Sequence, residues 1–476
     1  MTGGMADRRS GGRPFRWRWG GRSVSPTVRL SVLLLAACTP SGKGVVALEG
    51  ATLIDGSGGP PVTDALLLIK DGHLTAVARV NEITVPRGAQ VISLVGKTII
   101  PGLIDAHAHV ERWALPRYLA WGVTTVRDLG ALSNDSAFAL KADVNLGTAF
   151  GPRVFTSGSM IDGVPATYPN AAAVASGSEA RRAVDQRAAP GASGADYIKI
   201  YTKITPALLG PLMDEATPLR MRVAAHLGKT DALTAARAGV ASLEHMSGVV
   251  QAAARNPARY FRAHDLFLAG WTLEEEGWAA LDSATLARTA RALAQTHVAI
   301  VPTLVVHEML AHLADTSLRS RPEMADVPDD TANVVRQVVS LLRRTNWRAA
   351  DFAAFQRSRP RQDLFVREFK RAGGLIVAGS DAANQLLVPG ASLHEELLLL
   401  TEAGLSPLEA ITAATRHGAQ LLEADSLGYL VSGKVADLVV LNTSPAQNIN
   451  NTRDIAWVMI RGRIVRPDSL RTAWKK

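Results

Sequence analysis

Residues 98–109 read Thr98-Ile99-Ile100-Pro101-Gly102-Leu103-Ile104-Asp105-Ala106-His107-Ala108-His109. The apolar, β-branched run predicts a strand over Thr98–His109, and it ends on two histidines two residues apart. On a strand such residues share one face, about 6.6 Å apart at about 3.3 Å of rise per residue. Imidazoles so placed can close on one cation at about 2.0–2.1 Å. A lone His-x-His carries little weight, so its meaning depends on what the rest of the chain places beside it.

Working outward, apolar runs alternate with Ala/Leu/Glu-rich helical stretches, the signature of βα units around a parallel sheet. Eight strands are predicted: Thr98–His109, Gly122–Asp128, Arg153–Ser157, Tyr197–Thr202, Arg222–His226, Ala241–His245, Ala299–Leu304 and Leu375–Asp381. Eight is the number that closes a (β/α)8 TIM-like barrel, whose active sites lie at the carboxyl ends of the strands. His107 and His109 end the first, Lys199 sits near the end of the fourth, His226 ends the fifth, His245 the sixth and Asp381 the eighth. Four of the chain's 11 histidines therefore occupy strand ends. Long interruptions at 246–298 and 305–374 are expected to carry helices over the barrel mouth.

Both flanks of this α/β core read as β structure. Ala65–Lys70, Asp71-Gly72 and His73–Ala78 predict a hairpin, and Trp457–Ile460, Arg461-Gly462 and Arg463–Val465 predict another, with Ala436–Leu441 strand-like before it. The expected organisation is a leader over 1–38, a small β-sandwich domain built from 45–97 and 428–476, and a barrel over 98–427.

The 476 residues are 47% hydrophobic and 20% charged, which excludes a disordered chain, and one cysteine excludes a disulfide scaffold. The net charge of +9 is concentrated in the leader: seven arginines (Arg8, Arg9, Arg13, Arg16, Arg18, Arg22 and Arg29) against Asp7 contribute +6, leaving +3 for the rest. No phosphate-reading module accompanies it, so nucleic acid is not an expected partner. The apolar run Leu30–Ala37 is too short to span a bilayer, which takes about 20 residues. Leu35-Ala36-Ala37-Cys38 resembles the lipobox of a bacterial lipoprotein, which implies lipidation at Cys38 and a membrane contact through an N-terminal lipid anchor. It also implies a place in the bacterial cell envelope, facing the periplasm or exterior. An ordinary cleaved signal or a chance apolar run is the alternative. The basic stretch is long for a signal, and translation starting near Val28 would give one of ordinary length.

The motifs taken together resemble the amidohydrolase superfamily of metal-dependent hydrolases. The matching pieces are Pro101-Gly-Leu-Ile-Asp-Ala-His107-Ala-His109, Gly122-Val-Thr-Thr-Val-Arg-Asp-Leu-Gly130, Ala195-Asp-Tyr-Ile-Lys199-Ile200, Ala224-Ala-His226, Gly239-Val-Ala-Ser-Leu-Glu-His245, Ala378-Gly-Ser-Asp381 and Gly433-Lys-Val-Ala-Asp-Leu-Val-Val-Leu-Asn442. The likeness is greatest to the branch of Xaa-Pro dipeptidases (prolidases) and imidazolonepropionase-like proteins. It implies that His107, His109 and Asp381 hold one cation, that His226 and His245 hold a second, and that Lys199 bridges them as a carbamate formed with carbon dioxide. Zinc is the expected ion, with manganese, cobalt or iron as substitutes. The implied reaction is hydrolysis of a C–N bond in a dipeptide, N-acyl amino acid or related small amide by metal-activated hydroxide, with Asp381 shuttling the proton. A homo-oligomer is compatible with this reading. The loops Ser159–Pro165 and Lys203–Pro206 depart from the prolidase pattern, so the resemblance reaches the metal core but not the mouth.

Residue by residue, alternatives stand beside these readings. In Tyr197–Tyr201 the odd positions share one face, and a lysine there is either a ligand or a residue snorkelling or paired to a carboxylate. Tyr201 and His307 are candidate substrate contacts, with packing as the alternative. His73, His264, His297, His312 and His394 read as surface or structural, and Arg127 and Asp128 as structural contacts near the second strand. At the level of the whole chain the alternatives are a mononuclear imidazolonepropionase-like or deaminase-type hydrolase, a lactonase or phosphotriesterase, and a catalytically inactive surface-binding lipoprotein.

Overall fold

The segment entering the parallel sheet is two strands, Thr98–Pro101 and Leu103–Ala108, parted at Gly102. Gly102 donates its N–H to the Asp437 carbonyl at 2.9 Å. A Cβ at that position would lie 2.1 Å from Thr124 Oγ1, so the approach admits only glycine. The computed structural model describes residues 42–131, 133–188, 194–328, 332–384 and 386–474, with backbone alone for 332–335. Cys38 and the rest of the leader lie outside the described residues.

Thr98–Pro101 belongs to an eight-stranded mixed sheet drawn from both flanks of the chain. It runs parallel to Val45–Leu53 and antiparallel to Leu438–Leu441, and Ile455–Ile460 and Arg463–Val465 extend that side. On the other side Val62–Lys70 and His73–Arg79 form the expected hairpin. Asp71 and Gly72, at φ 50° and 75°, supply the left-handed turn that matches strand twist. The two flanking segments expected to make a sandwich thus meet in one ladder, because Thr98–Pro101 pairs with a strand from each. Leu48, Leu67, Ile99, Leu438, Val440 and Trp457, contributed by both flanks, share one apolar cluster.

Beyond Gly102 the strands are parallel: β1 (Leu103–Ala108), β2 (Val123–Asp128), β3 (Arg153–Thr156), β4 (Tyr197–Ile200), β5 (Arg222–Ala225), β6 (Ser242–Glu244), β7 (Ala299–Val301) and β8 (Leu375–Ile376). β1–β3 form one ladder and β4–β8 another. The second is extended beside β4 by two short strands not expected from the sequence, Ile161–Gly163 and Ala172–Val174. Backbone bonds join the ladders at both ends: Ala106 N–H to Ala378 O at 3.0 Å, and Asp196 N–H to Thr156 O at 2.8 Å. Apart from Phe155 and the first residues of β3, β5 and β8, every residue of these strands is buried, as expected when helices cover a parallel sheet.

The strands stop earlier than the apolar runs do. β5 ends at Ala225, β6 at Glu244 and β8 at Ile376, so His226, His245 and Asp381 stand on irregular backbone just past the ladders. His245 and Asp381 both take φ 59°, a left-handed conformation uncommon outside glycine. The first long interruption carries the helix Phe267–Gly277, and the second carries Ala332–Thr345 and Ala349–Arg371. Among the described residues, no helix is long and apolar enough to cross a membrane.

Candidate active site

β1 delivers His107, with His109 one residue past its end, and the two rings lie 5.7 Å apart. Asp381 Oδ1 reaches both: 3.2 Å to His107 Nε2 and 2.9 Å to His109 Nε2. These three are the donors among the described residues whose ligand atoms gather within 4.8 Å of one another. Gly379 makes the approach of the two segments possible, since a Cβ there would lie 2.8 Å from His107 N. Asp105, buried beneath, accepts from Ser380 N–H at 2.9 Å and so ties β1 to the turn carrying Asp381. Burial opposes ionisation of Asp381, but the neighbouring His245, His107 and His109 rings hold its carboxyl well below the ordinary range.

His107 is oriented from behind. Its Nδ1 donates to Glu244 Oε2 at 2.7 Å, leaving Nε2 turned toward Asp381. Glu244 is fully buried, and burial alone would raise its pKa. Arg127, 2.9 Å away on the other carboxylate oxygen, and His107 hold it well below the usual value. Arg127 is thus a structural contact, as expected, and it reaches the site. Glu244 was not singled out in the sequence. The available signal was a carboxylate in the apolar run Val240-Ala-Ser-Leu-Glu244.

His226 and His245 stand across from this group, with ring centroids 4.8 Å apart and His245 4.5 Å from His107. Burial pushes both well below the ordinary imidazole value, so they are held neutral, the form that ligates a cation. His245 Nδ1 lies 2.6 Å from Thr303 Oγ1, which fixes the ring and frees Nε2. Lys199 rises from β4 on the face it shares with Tyr197 and Tyr201, while Ile198 and Ile200 pack outward into the apolar core. Its Nζ is buried and has no hydrogen-bond partner among the described residues, and burial pushes its pKa down to about 8.

All six proposed ligands line one cavity of about 930 Å³. Tyr201 lines it as well, its ring 4.7 Å from His226. His307, the other expected substrate contact, is absent from this wall. It is buried one layer behind, with Nδ1 2.6 Å from Glu275 Oε1 and Nε2 3.2 Å from the His245 carbonyl. The Glu275 carboxylate draws it away from the cavity. His264 and His394 are buried and hydrogen-bonded, His264 to Glu274 and His394 to Thr452 and the Trp121 carbonyl.

The sequence of residues 98–465 matches the model of the amidohydrolase family. The chain belongs to the amidohydrolase family. Like other amidohydrolases it is a hydrolase acting on carbon–nitrogen bonds. Among solved structures, bottromycin amidohydrolase superposes with a TM-score of 0.67 at 22% identity, covering 90% of each chain. A Xaa-Pro dipeptidase with methionine bound in its active site gives 0.65 at 21% identity, over 89% of this chain and 100% of its own. A prolidase complexed with N-methylphosphonate-L-proline gives 0.64 at 21% identity, over 89% and 99%. At these identities the likeness is one of fold. No curated protein matches this amidohydrolase chain.

Proposed function

We propose that this amidohydrolase cleaves the amide bond of a dipeptide, N-acyl amino acid or related small amide at a dinuclear metal site. His107, His109 and Asp381 would hold one cation, His226 and His245 the other, and Lys199, as its carbamate, would bridge them. The observation that carries the reading is Lys199: a buried, unpartnered amine facing the histidines and Asp381. Burial disfavours the charged amine, with Glu244 and Asp381 offsetting only part of that cost; carbamoylation would turn it into an anionic ligand. Zinc suits the imidazole-rich set best. Bound divalent cations would supply carbonyl polarisation and a water acidified toward neutral pH.

The chain's own residues supply the rest. Glu244 and Thr303 fix the rings of His107 and His245 so that each presents Nε2 inward. Asp381, held ionised by its histidine neighbours, accepts the proton of the attacking water and returns it to the departing nitrogen, because an amide anion is a poor leaving group. Tyr201 offers a phenol at the cavity wall for a substrate contact. Reading the eight parallel strands as one closed (β/α)8 barrel accords with this, and the Ala106–Ala378 and Thr156–Asp196 bonds support closure. A lipid anchor at Cys38, and with it a place in the cell envelope facing the periplasm or exterior, belongs to the same proposal. Palmitate labelling that survives Cys38→Ser would remove it.

The deciding experiment is metal analysis of the purified protein together with a screen of dipeptides and N-acyl amino acids. The reading expects two zinc ions per chain and turnover abolished by chelation. One ion per chain would favour the mononuclear variant, for which the tight convergence of His107, His109 and Asp381 speaks. Substoichiometric metal with no turnover would point to an inactive scaffold.

A further inference from the structure

The cavity combines a large volume with a partly apolar lining. At about 930 Å³ it lies near the top of the roughly 300–1,000 Å³ range of pockets that enclose drug-sized ligands. Over the second histidine pair stands an aromatic wall from the helix Phe267–Gly277. Trp271 lies 5.6 Å from His226 and 6.3 Å from His245, and Phe267 lies 5.1 Å from Trp271 and 5.9 Å from His226. Met160, Leu140, Leu310 and Leu341 continue the apolar lining. A substrate with its scissile carbonyl at the histidines must lay one half against this surface. Each buried methylene is worth about fourfold in affinity.

The mouth carries the opposite chemistry. Arg344, on the helix Ala332–Thr345, lines the cavity, and no carboxylate among the described residues forms an ion pair with it. Arg112 at the same mouth is committed to Asp143. Glu111, the one carboxylate of the mouth among the described lining residues, accepts from Trp113 Nε1. Arg344, with Tyr168 and Phe267, also borders a second cavity of about 800 Å³, so it stands at the divide where the wall ends. Tyr168 in turn lies 5.5 Å from Tyr201. An uncommitted guanidinium at the end of an apolar wall suits a carboxylate carried by an otherwise greasy molecule.

We infer that the substrates are N-acyl amino acids with a bulky apolar acyl group, the acyl half against Phe267 and Trp271 and the carboxylate at Arg344. This rests on the hydrolase reading and makes Arg344 a specificity-determining residue for it. Water adds across the C–N bond: the carbonyl carbon gains the hydroxyl, the nitrogen gains the hydrogen, and a fatty or aryl carboxylic acid and a free amino acid leave.

The test compares N-decanoyl-L-alanine, N-acetyl-L-alanine and N-decanoyl-L-alaninamide as substrates. Alongside them, the binding of N-decylsulfonyl-L-alanine, whose sulfonamide resists hydrolysis, is measured by calorimetry on the metal-loaded protein. The expected kcat/KM for the decanoyl acid exceeds that for the acetyl acid at least 100-fold and that for the decanoyl amide at least fivefold. In Arg344→Gln the acid-over-amide preference should collapse through KM, and sulfonamide binding should weaken at least fivefold; Arg344→Lys should keep most of both. Hydrolysis with an acid preference indifferent to Arg344→Gln, or with no gain from the longer chain, overturns the inference and leaves the hydrolase reading standing. Arg344-dependent sulfonamide binding without hydrolysis of any amide upholds the subsite and overturns the hydrolase reading.

Discussion

His307 Nε2 lies 3.2 Å from the carbonyl oxygen of His245, and its Nδ1 lies 2.6 Å from Glu275 Oε1. Both ring nitrogens face acceptors, so the protonated ring can donate to each. Burial opposes that charge, but the Glu275 carboxylate overrides it and holds His307 above the ordinary imidazole value. His245 needs the support. Its φ of 59° is a left-handed conformation costing roughly 1–2 kcal/mol in a non-glycine residue, and it is pinned at the ring by Thr303 and at the carbonyl by His307. His307→Ala should weaken zinc affinity about 10–100-fold, the usual cost of losing an outer partner of a ligand. It should also alter the visible spectrum of the cobalt-substituted protein, while His307→Gln, which keeps a donor, recovers part of the loss. An unchanged metal affinity and spectrum in the alanine variant would show that His245 holds its place unaided.

Asp381→Asn keeps the shape of the side chain and its contact with Asn384 but removes the proposed proton acceptor. Turnover should fall at least about 10³-fold, within the 10²–10⁴ range of general acid–base contributions together with the loss of an anionic ligand. The melting temperature should stay within a few degrees of the parent. Steady-state kinetics beside calorimetry settles the matter, and substantial residual turnover would take the shuttle role from Asp381.

Lys199→Ala is expected to lose metal and activity together, and short carboxylic acids or bicarbonate should restore part of both by standing in for the carbamate. In the parent protein, ¹³C-bicarbonate should give a carbamate carbon signal that the variant lacks. Full metal content without the lysine would favour a site that needs no bridge.

Glu396 offers a handle on pH outside the proposed ligand set. Its Oε2 accepts from Val305 N–H at 2.9 Å, its Oε1 has no partner among the described residues, and burial pushes its pKa up to about 7 from 4.5. A pKa raised in the folded state means that the native protein binds this proton more tightly than the unfolded chain. The associated stability is therefore complete below pH 4.5 and is lost as pH rises through about 7, by up to about 3 kcal/mol. Glu396→Gln should flatten stability over that window and leave the variant the more stable of the two above pH 7. Urea melts at pH 5 and pH 8 measure it; equal pH dependence in both proteins would contradict the assignment.

The positions of the proposed ligands were readable in the sequence because each lies at or near the end of an apolar run, and in a parallel sheet the ends of such runs converge. That argument set His107, His226, His245 and Asp381 at strand ends and the strand alternation put Lys199 on one face, while their assignment as ligands came from the resemblance to the amidohydrolase superfamily. The supports were not readable. Glu244 and Arg127 meet His107 from other strands, and Glu275 reaches His307 across a helical insertion, so their roles exist only once the chain has closed. His307 illustrates the cost: a histidine just past β7 reads as a cavity residue until Glu275 turns it away. The aromatic wall was hidden for the same reason, because Phe267 and Trp271 lie on a helix whose placement no local pattern specifies.

The pairing of Thr98–Pro101 with Leu438–Leu441 has a temporal meaning. The polypeptide leading to His107 is flanked on one side by a segment made more than 300 residues later. During synthesis from the N-terminus, at roughly 5–20 residues per second, the histidines emerge early and wait for their last neighbour. A ribosome-bound chain lacking that final stretch should be unable to retain zinc, and competence should arrive only upon release.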